Sequence, residues 1–177
     1  MKKERAKIGI IHGRFQPLHN GHFKYILAAL NLAEHVIIGV CVTEICSQEF
    51  ADQTGYPCTK EQNPFSYDER VAMIAASLRD AAIAPESFSF IPFPSNYKNI
   101  QSIVSNDTVF FIGHTGELDS KKKEFLESLG YQTEIILLSD DSRKESGKKI
   151  RTSLANGDDI WKNLVPEAVK NFLENRV

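Results

Sequence analysis

Two histidines three residues apart, His19 and His22, follow an arginine in the stretch Gly13-Arg14-Phe15-Gln16-Pro17-Leu18-His19-Asn20-Gly21-His22. An imidazole donates a hydrogen bond to a phosphate oxygen and can carry charge near neutral pH. The Arg14 guanidinium adds a planar fork of donors suited to phosphate. Residues three apart at a helix start share a face, so both rings can act on one group. Gly21 between them allows a ligand to come close. The pattern predicts a phosphate site. Zinc is the rival for a histidine pair, but a third ligand would have to come from His12, His114 or the cysteines, which are scattered along the chain.

A second cluster, Ser146-Gly147-Lys148-Lys149-Ile150-Arg151-Thr152-Ser153, offers a flexible turn, two lysines, an arginine and hydroxyls where a helix should begin. A Lys/Arg run is most often a solvated face. Beside the first motif it gains meaning, because a polyphosphate needs cations on more than one side.

These residues need elements to hold them. Lys7–His12 reads as a buried strand and Asn20–Glu34 as the first helix, with Asn20 as its N-cap. A second strand runs from His35 to Val42. Thr43–Asn63 is polar and turn-rich, a candidate substrate lid. Asn63-Pro64-Phe65-Ser66 opens a helix with Asp68 and Glu69 in its first turn. Ser87–Phe93 reads as a third strand, ended by Pro92 and Pro94. Thr108–Ile112 reads as a fourth, meeting the turn Gly113-His114-Thr115-Gly116. A charged helix over Ser120–Leu129 stops at Gly130, and Tyr131–Leu138 is a fifth strand. Asp140–Gly147 is a charged loop. A short helix over Lys149–Asn156 closes at Gly157, and Pro166 takes the first position of the last helix.

Strands alternating with helices predict an α/β fold, a Rossmann-like doubly wound parallel sheet of about five strands with helices on both faces. Ligands in such sheets lie at the carboxyl ends of the strands. The turns at Gly13 and Gly113 and the loop after Leu138 should converge there. The 177 residues suit a single domain, with a C-terminal helical segment from about 149 onward. A formal net charge of -2 argues against a general nucleic-acid binder, while leaving room for a local basic pocket. The apolar run behind the basic start is about four residues, against the ~7–15 of a signal core. No stretch approaches the ~18–20 apolar residues of a membrane span. The expectation is a cytoplasmic protein without membrane or nucleic-acid partners, its assembly into homo-oligomers left open. Cys41, Cys46 and Cys58 are expected to be free thiols of a reducing compartment.

Gly13–His22 resembles the signature of the H-x-G-H nucleotidyltransferases, and Arg14-Phe15-Gln16-Pro17 is closest to the archaeal-type nicotinamide-nucleotide (NMN) adenylyltransferases. Asn63-Pro64-Phe65 with Glu69-Arg70 resembles that family's N-P-F-x-x-x-E-R helix start, and Ile112-Gly113-His114 its I-G-H turn. Ser146, Ile150 and Arg151 match its S-x-T-x-I-R element, and Leu164-Val165-Pro166 resembles its L-V-P segment. The likeness runs from Ile8 to Val169. There are two departures. Lys148 stands where the family has threonine, and Ser95-Asn96-Tyr97-Lys98-Asn99-Ile100 lacks the tryptophan expected in the pyridine pocket.

The resemblance implies transfer of AMP from ATP to nicotinamide mononucleotide, forming NAD and pyrophosphate, with Mg²⁺ bridging phosphate oxygens. It implies His19, His22 and Arg151 as catalytic residues. ATP would be bound by Gly13, Arg14, Phe15, Gln16, Gly21, Gly113, His114, Ser146 and Lys148, and the acceptor by Arg70, Tyr97 and Asn99. An ion pair of Arg70 with Glu69 or Asp68 is the plainer reading of that arginine. A phosphate monoester has a second pKa of ~6 and is mostly ionised at pH 7, so in-line attack on the α-phosphorus needs no catalytic base. Other readings are a sister enzyme with another phosphorylated acceptor, such as phosphopantetheine, or with CTP as donor. A nucleotide-binding regulatory domain without turnover is a reading of another class, to which Lys148 is the pointer.

Overall fold

Apolar β-branched runs separated by amphipathic helices form one five-stranded sheet in this computed structural model, which describes residues 4–45, 47, 49, 52, 57–95, 97, 99–114, 117–138 and 146–176. The strands are β1 (Ala6–Gly13), β2 (Ala33–Val42), β3 (Phe88–Pro94), β4 (Val109–His114) and β5 (Gln132–Leu137). The helices are α1 (Asn20–Leu32), α2 (Tyr67–Asp80), α3 (Glu117–Ser128), α4 (Gly147–Asn156) and α5 (Glu167–Glu174). All strand pairs are parallel, in the order β3-β2-β1-β4-β5, so the expected doubly wound α/β fold is present.

Side chains alternate across the sheet, as the two-residue strand period requires. Ile11 and Val36 face a core built with Ile26 and Ala29 of α1, Met73 and Ile74 of α2, Ile150 of α4 and Val169 of α5. Ile10 and Phe110 face a second core with Phe93 and Leu126 of α3. Phe15, Phe93 and Phe110 are fully buried, each contributing about 1.5–3 kcal/mol of apolar burial near the sheet's carboxyl edge.

Several boundaries differ from the sequence reading for local reasons. The first helix ends at Leu32, and β2 starts at once with Ala33, which pairs with Ala6 while its N–H caps Ala29 O. Arg5 secures that junction by donating to the Leu30 carbonyl at 3.0 Å and to the Ala33 carbonyl. Strand β3 runs through Pro92 to Pro94, because an edge strand tolerates missing N–H donors. Helix α3 starts at Glu117 and α4 at Gly147, both earlier than expected. Pro166 sits at the N-cap of α5, one residue outside the helix. Gly130 and Gly157 take φ of 90° and 71° at helix ends, as expected of C-terminal glycines.

Cys41 is a free, buried thiol, but Cys58 belongs to a disulfide, which corrects the free-thiol expectation there. Cys46, much of the Thr43–Asn63 stretch, most of Asp140–Gly147 and the Thr115-Gly116 tip lie outside the described residues. No described helix is long and apolar enough to cross a membrane.

Candidate active site

The first motif leaves β1 at Gly13 and doubles back. Phe15 takes a positive φ of 49° and packs its fully buried ring beneath Gly13, where an added Cβ would lie 3.1 Å from the ring. Gln16 is 4% exposed, its side chain turned to Phe65. Its amide donates to Phe65 O at 2.9 Å and accepts from Phe65 N at 3.0 Å, locking the motif to the start of α2. The Gln16–Pro17 peptide bond is cis.

His19, not Asn20, is the N-cap of α1: its Nδ1 accepts from His22 N at 3.2 Å. That hydrogen bond leaves the proton of the neutral ring on Nε2, a donor for a phosphate oxygen. Asn20 instead ties the helix start to the Leu164-Val165-Pro166 segment, through its N–H to Leu164 O and its amide to Asn163 O. The His19 and His22 rings stack at 3.7 Å, with Phe15 edge-on to His22 at 4.9 Å. Gly21 is buried between them in the first turn. Burial lowers His19 to about 4. His22 is pushed well below its ordinary value by burial, then by His19 and Arg14. Among the described residues, His22 Nδ1 is the buried side-chain polar atom with no hydrogen-bond partner. An orphan of that kind costs about 1–3 kcal/mol and suits an incoming oxygen.

The second motif closes on the first. Ser146 caps α4, its hydroxyl accepting from Lys149 N at 3.2 Å, and the fully buried Ile150 anchors the helix. Arg151 Nη1 donates to the Gln16 carbonyl at 2.5 Å. Gly147 is needed for this approach, since a Cβ there would lie 2.5 Å from the same carbonyl oxygen. Burial, then Arg14, lowers the Arg151 pKa. The charge of Arg14 acts on both His22 and Arg151, so the two motifs share one field of positive sign.

The remaining expected site residues are dispersed. Arg70 is buried and donates Nε to Ser66 O at 3.0 Å and Nη1 to Arg14 O and Cys41 O, both at 2.8 Å. The plainer reading of Arg70 as an ion-pair partner is corrected. Glu69 closes the capping box with Ser66 and bonds Arg176 at 2.9 Å. Arg70 is a clamp joining the first motif, β2 and α2. Lys148 is exposed and points to an outer pocket of about 340 Å³ with Lys149, Thr152 and Asn156. Gly113, the last but one residue of β4, lies against Leu138 and Tyr25, whose hydroxyl donates to Phe111 O. His114 is the last residue of β4. Tyr97 and Asn99 lie beyond β3, both with φ of 57°. The sequence reading weighed His12 only as a zinc ligand, whereas its ring shares a hydrogen bond with the Tyr97 hydroxyl. Its signal is a polar side chain at the carboxyl end of an otherwise apolar buried strand. Among the described residues no three His, Cys, Asp or Glu side chains gather as a metal site.

Residues 10–156 match the model of the cytidylyltransferase-like family. The chain belongs to that family. Its members in the comparison include a phosphonoformate cytidylyltransferase of Streptomyces viridochromogenes, 32% identical over 96% of this chain and 91% of the relative. A nicotinamide-nucleotide adenylyltransferase of Thermococcus kodakarensis is 30% identical over 95% of this chain and 82% of the relative. Among solved structures, a bifunctional NMN adenylyltransferase/ADP ribose pyrophosphatase from Francisella tularensis, complexed with AMP and a manganese ion, superposes with a TM-score of 0.70 at 21% identity. That likeness covers 96% of this chain and is one of fold; the chain spans about half the length of that structure, 48%. As a member of the cytidylyltransferase-like family, the chain is a nucleotidyltransferase enzyme.

Proposed function

We propose that this nucleotidyltransferase transfers the adenylyl group of ATP to nicotinamide mononucleotide, forming NAD and releasing pyrophosphate in the cytoplasm. One observation carries the phosphate chemistry: His19 and His22 stack at the start of α1 with the His22 Nδ1 unpartnered, and Arg151 of the second motif bonds the Gln16 carbonyl of the first. The archaeal relative supports the choice of donor and acceptor.

An oxygen of the acceptor phosphate attacks the α-phosphorus in line. The bond to the bridging oxygen breaks, and its electron pair leaves with pyrophosphate. The charge that builds on the leaving group is met by donors already in place, which is how a rigid site lowers such a barrier. His19 offers its Nε2–H, Arg151 and Arg14 their guanidinium N–H groups, and His22 a ring that takes a proton as the anion arrives. Among the described residues the site offers phosphate donors and no acidic cage, so Mg²⁺ would enter with the triphosphate. Such an ion supplies charge neutralisation between the phosphates. Gly113, His114 and Ser146 border the nucleotide side, and Tyr97 and Asn99 the acceptor side. Lys148, exposed beside Ser146 at the start of α4, would add charge on the nucleotide side.

Cytidylyl transfer to a phosphonate is the second reading, favoured by the Streptomyces relative and by the lack of a tryptophan in Ser95–Ile100. Pyrophosphate release measured with ATP and with CTP separates the two. The acceptors are nicotinamide mononucleotide, its nicotinate analogue, phosphopantetheine, glycerol 3-phosphate and phosphonoformate. We expect release with ATP and nicotinamide mononucleotide, falling ~10²–10³-fold in His22→Ala. Release only with CTP and phosphonoformate would keep the chemistry and replace both substrates. Silence with every pair would leave a nucleotide-binding domain without turnover.

A further inference from the structure

The face of β1 turned away from α1 carries a second cluster at the sheet's carboxyl edge, one that the phosphate chemistry does not use. His12 lies flat on Phe93 of β3, with ring centroids 4.3 Å apart and 4° between planes. Phe110 of β4 meets it edge-on, and its Nδ1 stands 3.9 Å from Cys41 Sγ at the end of β2. Its Nε2 shares a 3.0 Å hydrogen bond with the Tyr97 hydroxyl. Tyr97 is held edge-on by His12, Phe93 and Phe125 at 5.3, 5.6 and 5.5 Å. It remains half-buried, on a left-handed backbone that bulky residues rarely adopt. Ser95 bonds the Val42 carbonyl and the Thr43 hydroxyl, so the ends of β2 and β3 beside Tyr97 are tied together.

A phenyl ring would serve the stacking on Phe93 as well as an imidazole does, without burying polar nitrogens. What the imidazole adds is the hydrogen bond to Tyr97, the member of the cluster assigned above to the acceptor. We propose that His12 is a positioning residue that fixes Tyr97 as a wall of the acceptor subsite, and thereby sets selectivity for an acceptor bearing a planar ring beside its phosphate. This inference rests on the adenylyl-transfer reading and extends it to a residue outside the phosphate motif. Burial, then the nearby charge of Lys122, holds His12 neutral, so it acts by geometry and not by charge.

The test measures KM for nicotinamide mononucleotide and for ATP in the wild type, His12→Phe, His12→Gln, Tyr97→Phe and the double variant His12→Phe/Tyr97→Phe. Loss of one neutral hydrogen bond should raise the acceptor KM about three- to tenfold in His12→Phe and in Tyr97→Phe. The double variant should be no worse than the worse single one, because both remove the same bond. His12→Gln, which can still bond the hydroxyl, should recover most of the loss, and the ATP KM should move less than twofold throughout. An acceptor KM within twofold of wild type in Tyr97→Phe overturns the inference, as does an equal rise in the ATP KM. Should His12→Phe fail to fold, Tyr97→Phe and His12→Gln still decide it. A wild type that turns over no ringed acceptor overturns the functional reading and this inference together. Wild-type turnover with unmoved variant KM values overturns the inference alone.

Discussion

Burial keeps both histidines of the phosphate site neutral at pH 7, and this has a cost that can be measured. Unfolded, each titrates near 6.5, whereas folded His19 titrates at about 4 and His22 well below its ordinary value. Between those values the unfolded chain binds more protons than the folded one. Stability therefore rises with pH through this window and is lost as the pH falls, by up to ~1.4 kcal/mol per unit for each such group. Melting temperatures without nucleotide should drop between pH 6.5 and 4, and His19→Gln should flatten that slope. An unchanged slope in the variant would remove His19 from the account. At this scale the phosphate donors were legible, because residue type and spacing carry their chemistry directly. The partners of Gln16 and Arg70 were not. Gln16 bonds a residue 49 positions away and Arg70 a carbonyl 56 positions away, and no local pattern announces either. The helix-capping role of His19 was hidden for another reason: Asn20 beside it is the stronger intrinsic cap, and tertiary contact with Leu164 claims it instead.

Helix α4 acts as the second jaw of the site, and its fit is set by a backbone contact. Gly147 faces the Gln16 carbonyl so closely that a methyl group would force the helix start outward, carrying Arg151 with it. Gly147→Ala should lower kcat at least tenfold while costing only ~1–3 kcal/mol of stability. Steady-state kinetics beside thermal melting checks this, and full activity would mean that α4 relaxes without moving Arg151. The elements themselves were largely readable from hydrophobic period and turn residues. The earlier start of α4 was missed because the sequence reading gave the cap no weight, although Ser146 followed by Lys149 supplies it. Strand β3 was cut short because its prolines look like terminators until its place at the sheet edge is known.

On the scale of the molecule, the order β3-β2-β1-β4-β5 places the first motif at the end of the central strand, β1, with two strands on either side. The alternation of strands and helices announced this fold; the cluster of His12, Phe93 and Tyr97 emerges only when the carboxyl ends of its strands are seen together. Arg176, near the far end of the chain, reaches Glu69, the Pro64 carbonyl and the Phe65 ring, so α5 buttresses the turn that Gln16 grips. The loopless passage from α1 into β2 completes this frame. A helix joined to an interior strand without slack cannot slide along its axis unless the strand slips register, which would swap the side chains of β2 between the two cores. The histidine-bearing end is therefore anchored like a fixed anvil, and whatever motion accompanies turnover must belong to the parts that approach it. Amide hydrogen exchange across residues 20–42 should accordingly be the same with and without a bound nucleotide, while that of α4 slows.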